Sequence, residues 1–457
     1  MPHIVNLPLP GIASRCRKRD GNGKAAPSTF SVSVSAAFGF IAPFRHGTSR
    51  PNQPFAGSAR RPQFSGTDVN SFDAVSRRQP ATKPLAQRIV ILGSYAPSLI
   101  NFRGALIAAL IAQGHSVHAL APDIDDATDA KLRAMGAIPR SIRLSNSGID
   151  PVAGLRTINE LTQIFREIAP DCVLSYTIKP VTLGSLAARR AGVSQIVALV
   201  TGLGYALTPG SGWRRRLSRV AAALLYRRAF ATCNLVLFQN PDDEADLRRL
   251  GLVGHDATTR RVDGSGVDIA HFAPARLGNA PRFLMIARLL GDKGVREYAA
   301  AAAALKVDHP EADFALLGYI DHGPDSISPS ELAEMERIGV RYLGPREDVR
   351  PAIAACNIFV LPSYREGTPR SVLEAMAMGR PVVTSDAPGC RQTVVHGLNG
   401  LLVPPRDASA LTNAMRYFIE QPGQIAPMGA ASLVRVRNVF DVARVNAAIL
   451  DAMGLAR

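Results

Sequence analysis

Long hydrophobic runs are missing from this sequence of 457 residues. No stretch of 18 apolar residues occurs, which excludes a spanning helix, while a hydrophobic content of 47% leaves enough apolar material for two sizeable cores. Cysteine is scarce. The five residues Cys16, Cys172, Cys233, Cys356 and Cys390 are odd in number and lack any Cys-x-x-Cys or Cys/His spacing, so they read as reduced thiols in a cytosolic setting rather than a disulfide framework or zinc site. Cys172, Cys233 and Cys356 sit in apolar surroundings and read as core filler. A glycine-rich phosphate loop is also absent: Gly93 stands alone after the first strand-like run, where a dinucleotide fingerprint needs Gly-x-Gly-x-x-Gly. The formal charge is +16, but residues 1–84 carry +9 of it, leaving +7 for the rest. No aromatic-basic recognition motif accompanies that charge, which argues against nucleic acid as a partner.

Residues 1–84 are rich in Ser, Pro, Gly and Arg and show no sustained periodicity. They are expected to form a disordered basic N-terminal extension without a folded role. Residues 15–24 followed by 31–44 imitate a signal peptide, yet the serines weaken the apolar segment. From Arg88 onward strands and helices alternate, with RIVIL and SVHAL as early strands and a helix apolar at Leu106, Leu110 and Ile111 between them. The pattern predicts an α/β chain of two Rossmann-like domains, 85–272 and 273–430, and a C-terminal crossover helix in 431–457.

The most informative stretch is residues 357–386, NIFVLPSYREGTPRSVLEAMAMGRPVVTSD. Its apolar run suits a buried strand, Gly367 and Pro369 interrupt it, residues 371–378 have helical composition, and a second strand follows. In such a β-loop-α-β unit a phosphate sits beyond the strand end, at the helix N-terminus. Glu366 and Glu374 frame that spot. Carboxylates avoid phosphate but accept hydrogen bonds from sugar hydroxyls; alternatively, Glu374 in the first helical turn complements the helix dipole.

Glu366 and Glu374, eight apart, resemble the Glu-x7-Glu motif of the retaining glycosyltransferases of family 4, whose fold is GT-B. Arg288 and Lys293 in ARLLGDKG match that family's second motif. The resemblance covers most of residues 88–457. It implies two Rossmann-like domains facing across a cleft, acceptor in the first and nucleotide sugar in the second. It further implies that Glu366 lies near the donor sugar, that Glu374 holds the ribose, and that Arg288 and Lys293 meet the donor diphosphate and stabilise the leaving charge. Gly367, Thr368 and Arg391 join the donor side on the same ground, although Asp386 and Arg391 could simply pair with each other. On the acceptor side stand Asn101 and Arg103, which either bind phosphate or cap and solvate a helix, and Lys179, which either meets a lipid diphosphate or is an ordinary solvated lysine.

SYTIKPVTLGS, VALVTGLGYALT, FQNPDDEADLRRLGLV and GSGVDIAHF resemble a narrower branch that adds hexoses or N-acetylhexosamines to undecaprenyl-diphosphate-linked sugars in surface polysaccharide and glycan assembly. Many members have His where this chain has Ser175-Tyr176-Thr177. The implied donor is a nucleotide sugar, UDP-linked, with a polyprenyl-diphosphate-linked sugar as acceptor, no cofactor and no required metal. Asp123, Asp125 and Asp126 offer a superficial Asp-x-Asp pattern, but the GT-B pattern places no metal there. A non-catalytic nucleotide-sugar-binding subunit of a polysaccharide assembly complex is the alternative function. Within residues 213–229, Trp213, Leu217, Val220, Ala221, Leu224 and Leu225 share a helical face flanked by Arg214, Arg215, Arg219, Arg227 and Arg228. Either that face packs inward, or it lies on an anionic membrane surface as a peripheral anchor at the inner face of the cytoplasmic membrane.

Overall fold

The computed structural model describes residues 86–144, 151–202, 213–278, 280–321, 323 and 325–456, with the backbone alone at 151 and 213–219. The extension at 1–84 and its expected disorder lie outside the described residues, as do Leu203 and Gly204.

Seven parallel strands build the first sheet: β1 (Arg88–Leu92), β2 (Ser116–Ala121), β3 (Ile138–Ser141), β4 (Cys172–Tyr176), β5 (Gln195–Val200), β6 (Leu235–Phe238) and β7 (Thr259–Arg261), in the order β3-β2-β1-β4-β5-β6-β7. Its helices are α1 (Ala96–Asn101), α2 (Gly104–Ala112), α3 (Asp126–Ala134), α4 (Pro151–Ile168), α5 (Ile178–Ala191), α6 (Trp213–Phe230) and α7 (Pro241–Arg249). β4 and β6 are buried along their whole length, the mark of parallel strands covered by helices on both faces. Each fully buried Ile or Leu of β1 contributes about 1.5–3 kcal/mol relative to exposure.

The second sheet has six parallel strands, β8 (Arg282–Ile286), β9 (Asp313–Leu317), β10 (Val340–Tyr342), β11 (Ile358–Leu361), β12 (Val382–Ser385) and β13 (Gly400–Val403), in the order β10-β9-β8-β11-β12-β13. Around it run α8 (Val295–Asp308), α9 (Pro329–Arg337), α10 (Arg350–Ala355), α11 (Arg370–Ala377), α12 (Ala408–Glu420) and α13 (Ile425–Arg435). After a π-helical turn at Val436–Phe440, α14 (Val442–Ala452) returns to the first lobe. There Val445, Ile449, Leu450 and Met453 join the core of Ile89 and Leu106, and Gln195 Nε2 donates to the Met453 carbonyl at 2.8 Å. Both sheets belong to one compact unit, Arg78–Arg457.

Arg380 locks the connection between the lobes. Fully buried, its guanidinium donates to the carbonyls of Ala275, Arg276, Ile353, Ala354 and Met378 at 2.7–3.1 Å. Five acceptors satisfy a cation that burial would otherwise make costly.

Strand order reverses beside β1 and β4 in the first sheet and beside β8 and β11 in the second. Ligand crevices of open α/β sheets form at the carboxyl ends of strands at such switch points. In this chain those ends lead into Gly93 and Thr177 on one lobe, and into Arg288 and Glu366 on the other.

Three local expectations change. The first helix is two helices, broken at Phe102 and Arg103, so Asn101 ends α1 while Arg103 takes the cap position of α2 without a side-chain cap bond. Glu374 is not in the first turn of α11, which starts at Arg370 directly after Pro369 and has no acid there, so the dipole reading loses its basis. In α6, Ala222, Tyr226, Ala229 and Phe230 face the core, whereas Val220 and Leu224 are 57% and 62% exposed and Leu225 is also outward. The inward reading of that apolar face is therefore corrected for Val220, Leu224 and Leu225.

Candidate active site

On the second lobe the site begins where β8 ends. Arg288 follows the strand, half-exposed, and its guanidinium meets Asp321 at 3.0 Å. A 3-10 turn at Gly291–Lys293 then brings Lys293 back toward the sheet. Its ammonium, with the side chain only 12% exposed, donates to Oε1 of Glu366 at 2.7 Å, and Ser363 Oγ donates to the same oxygen at 2.9 Å. Burial alone would lower the Lys293 pKa; the Glu366 carboxylate outweighs it and raises the value above the ordinary one.

Glu366 sits in the loop between β11 and α11, with its N–H bonded to the Pro388 carbonyl at 2.9 Å. Gly389 makes that approach possible: its φ is +80°, and a Cβ there would run into the carbonyls of Glu366 and Gly367. Glu374, about one turn into α11, is held by Arg370 Nε at 2.8 Å. Burial raises its pKa, partly opposed by Arg370. Arg370 also lies over the ring of Phe102 from the first lobe, 5.2 Å from the centroid.

Arg391 pairs with Asp386 at 2.8 Å and with Asp242 of the first lobe at 3.1 Å. Asp386 and Arg391 do pair with each other, and the same guanidinium reaches across to the first lobe. Gly367 is buried against Gln239 and Thr201 of the first lobe, and Thr368 Oγ1 donates to the Gln239 carbonyl at 3.3 Å.

At the first lobe's crevice Thr177 holds a φ of 64°, costly for a β-branched residue, and donates to Ser94 Oγ at 2.8 Å. Tyr176 OH and Ser98 Oγ share a hydrogen bond of 2.7 Å. Arg103 is only 2% exposed and stacks on Tyr176, 4.9 Å from the ring centroid. It donates to Ser265 Oγ at 3.2 Å and to its neighbour's carbonyl at 3.3 Å, its Nε has no partner, and it forms no ion pair with a carboxylate among the described residues. Desolvation pushes its pKa down to about 10. Asn101 is exposed, and Lys179 is half-buried with its pKa lowered by desolvation.

The structure thus brings Lys293, Glu366, Arg288 and Glu374 to one end of the second sheet and Arg103 and Lys179 to the facing end of the first. Asn240, Asp242, Asp243 and Arg370 were missed. The acids of QNPDDEADL are easily taken for a solvated helix start, and three of them do lie in the first turn of α7. Asp125 accepts from Thr128 N as the cap of α3, which gives that acidic stretch a structural role. The buried thiols are inert: burial pushes Cys172, Cys356 and Cys390 up to about 12 and Cys233 to about 11.

Two parallel-sheet lobes with cationic and carboxylate side chains at their facing strand ends define a GT-B glycosyltransferase architecture. The HepE protein of Anabaena in complex with UDP superposes with a TM-score of 0.63 at 22% identity, over 80% of this chain and 99% of that one. Sucrose-phosphate synthase from Thermosynechococcus elongatus gives 0.65 at 20% identity, over 80% and 98%. Residues 102–263 match the glycosyl transferase 4-like domain and residues 280–421 match glycosyl transferases group 1. The chain belongs to the family 4 glycosyltransferases and is an enzyme of that type. It is 30% identical over 347 residues to the N,N'-diacetylbacillosaminyl-diphospho-undecaprenol alpha-1,3-N-acetylgalactosaminyltransferase of Campylobacter jejuni, covering 73% of this chain and 89% of that protein. It is 27% identical to the UDP-Gal:alpha-D-GlcNAc-diphosphoundecaprenol alpha-1,3-galactosyltransferase of Escherichia coli, over 58% and 71%.

Proposed function

We propose that the enzyme moves a hexose or N-acetylhexosamine from a UDP-linked donor to a polyprenyl-diphosphate-linked sugar, with retention at the anomeric carbon. The Lys293 to Glu366 contact carries this reading, because it sets a cation and a carboxylate side by side where the turn after β8 meets the loop after β11. The two relatives, whose names specify undecaprenyl-diphosphate-linked acceptors, support the acceptor class.

In this reading the donor diphosphate lies between Arg288 and Lys293. Arg288 leaves Asp321 at little cost, since an exposed pair is worth about 0–1 kcal/mol. Glu374 turns from Arg370 to the ribose hydroxyls. As the bond to the anomeric carbon breaks, charge gathers on the leaving phosphate, and the two cations stabilise it more than they stabilise the bound ground state. The leaving phosphate accepts the proton of the acceptor hydroxyl on the same face, so retention needs no protein nucleophile. Glu366, kept in place by Lys293 and Ser363, faces the donor sugar. Gly367 and Thr368 shape the same donor pocket. Arg103 and Lys179 receive the acceptor diphosphate, with Asn101 at the rim.

The outward face of α6 supports a peripheral membrane location: Val220, Leu224 and Leu225 are exposed beside the exposed Arg227 and Arg228. No helix among the described residues is long and apolar enough to cross a membrane. The arginines of this face contribute on the order of 1 kcal/mol each near an anionic surface. Sedimentation of protein lacking residues 1–84, whose own charge could bind anionic lipid, with anionic and neutral vesicles at low and high salt tests this, alongside a variant with Arg214, Arg215, Arg219, Arg227 and Arg228 changed to Gln. Equal binding by that variant removes the helix as anchor.

The central test is a screen of UDP-, GDP- and ADP-sugars against lipid-diphosphate sugars, with product linkage and anomeric configuration determined. Inverted product, or transfer only to soluble acceptors, would overturn the reading.

A further inference from the structure

The loop that carries Glu366 is gripped from the opposite lobe. Arg365, immediately before it, extends its guanidinium to Asp243 of α7, with Nε at 3.0 Å and Nη2 at 2.5 Å from Oδ1, and to Asp246 at 2.7 Å. Asp243 is completely buried, and burial raises its pKa against the pull of Arg365 and Asn240. Asn240, the cap of the same helix, donates from Nδ2 to the carbonyls of Gly367 at 2.9 Å and of Glu366 itself at 3.3 Å. The cap also accepts from the Asp243 N–H at 2.8 Å, so one helix N-terminus organises both grips.

Two further contacts extend the seam. Asp242 accepts from Arg391 and, at 2.9 Å, from Gln392 Nε2. Gly367 is pressed so closely against Gln239 and the Thr201 carbonyl that a Cβ would collide with both. The backbone on both sides of Glu366 is thereby fixed by residues 201 and 239–246 of the first lobe in addition to Pro388 and Gly389 of its own lobe.

A carboxylate in a loop has several rotatable bonds between it and the nearest strand, and small shifts in such a group cost large factors in rate. Lys293 and Ser363 hold the carboxylate end of Glu366; its N–H is held by Pro388 and its carbonyl side across the lobe boundary by Asn240. From this geometry we infer that Asn240, Asp243 and Arg365 are positioning residues that place Glu366 for transfer, so that the donor site is complete only when the two lobes are packed as they are here. This inference rests on the donor-side role of Glu366 given above. Charge and shape both argue for a dedicated device: a fully buried carboxylate is costly unless paired, and here its partner is the residue adjoining Glu366.

The test uses the full-length protein and three readouts. Turnover is measured with UDP-N-acetylgalactosamine, UDP-galactose or UDP-glucose, whichever the screen above shows to be fastest, for Asn240→Ala, Asp243→Asn and Arg365→Ala. Each is expected to lower kcat by about tenfold or more while the donor KM moves by less than about threefold. Amide hydrogen exchange of the 363–368 peptide should rise in the same variants. In a Glu366→Gln background the added substitution should change kcat by less than about twofold, because residues acting through one group are not additive. Arg365→Lys keeps one of the charged contacts and should recover part of the loss. Asn240→Ala removes the carbonyl bonds and the cap of α7 but leaves the Asp243 to Arg365 pair in place, and serves as the informative variant if loss of that pair prevents folding. Faster exchange with unchanged kcat overturns the inference, as do effects that multiply fully with Glu366→Gln. Wild-type turnover by Glu366→Gln alone would instead refute the donor-side role of Glu366.

Discussion

Nζ of Lys293 lies 2.7 Å from Oε1 of Glu366, joining the turn after β8 to the loop after β11 across the switch point of the second sheet. Cation and carboxylate come from segments 73 residues apart, and each restricts the other's rotamers. Against the opposing effect of burial, the Glu366 carboxylate raises the Lys293 pKa above its ordinary value, so the ammonium stays charged at neutral pH.

Lys293→Ala and Arg288→Ala should therefore reduce turnover more than donor affinity. A preorganised charge aimed at a leaving group is worth about 10²–10³ in kcat. Glu374→Ala should chiefly weaken nucleotide binding, measured by calorimetry with UDP. Near-normal activity in all three variants contradicts the site.

Arg103 and Arg380 are both buried arginines with opposite satisfaction. Arg380 has five carbonyl acceptors, and Arg380→Met should leave several of them orphaned, costing about 3 kcal/mol or more in stability. Denaturant unfolding at neutral pH measures it.

Among the described residues Arg103 has few acceptors and no carboxylate, so Arg103→Met should leave the thermal midpoint unchanged or raise it. If Arg103 serves the acceptor, turnover at saturating donor falls at the same time, a separation of stability from activity. A lowered midpoint with unchanged turnover would assign it a purely structural role.

Glu331 gives a pH signature. Its bond from Arg296, followed by those from the Ser328 backbone and hydroxyl, holds its pKa down to about 2 from the ordinary 4.5. An acid depressed on folding adds stability that is present above its unfolded pKa and disappears as pH falls through the folded one. The wild type should thus lose more stability than Glu331→Gln between pH 4.5 and 2. The same substitution weakens the capping box of α9 at neutral pH. Parallel midpoint-versus-pH curves would contradict this.

Chelation should leave transfer activity intact, since Asp125 of the acidic stretch caps α3 and the proposed leaving-group charge is met by Arg288 and Lys293. Assays before and after EDTA treatment check it; activity restored only by magnesium or manganese would require a metal in the mechanism.

Much of this enzyme is readable from its amino acids. Short apolar runs such as IVIL and IFVL, bounded by turn residues, suit buried parallel strands, and their alternation with helices sets the two lobes and the order in which the chain builds them. The spacings within ARLLGDKG and across residues 366–374 place four polar side chains at strand ends, because a strand followed by a short loop and a helix leaves little freedom in where such residues stand. What only the tertiary structure decided is partnership. Arg103 looks in sequence like a cap or an exposed phosphate ligand, and is buried on Tyr176. Arg370 reads as a helix-start residue and binds Glu374, while Leu224 turns outward from a face that periodicity would send to the core. The acids of α7 read as ordinary first-turn residues, and they hold the loop of Glu366 from 122 residues away. Local pattern follows from backbone geometry over a few residues; these pairings depend on how two independently patterned lobes meet, and nothing in a strand or helix period encodes that contact.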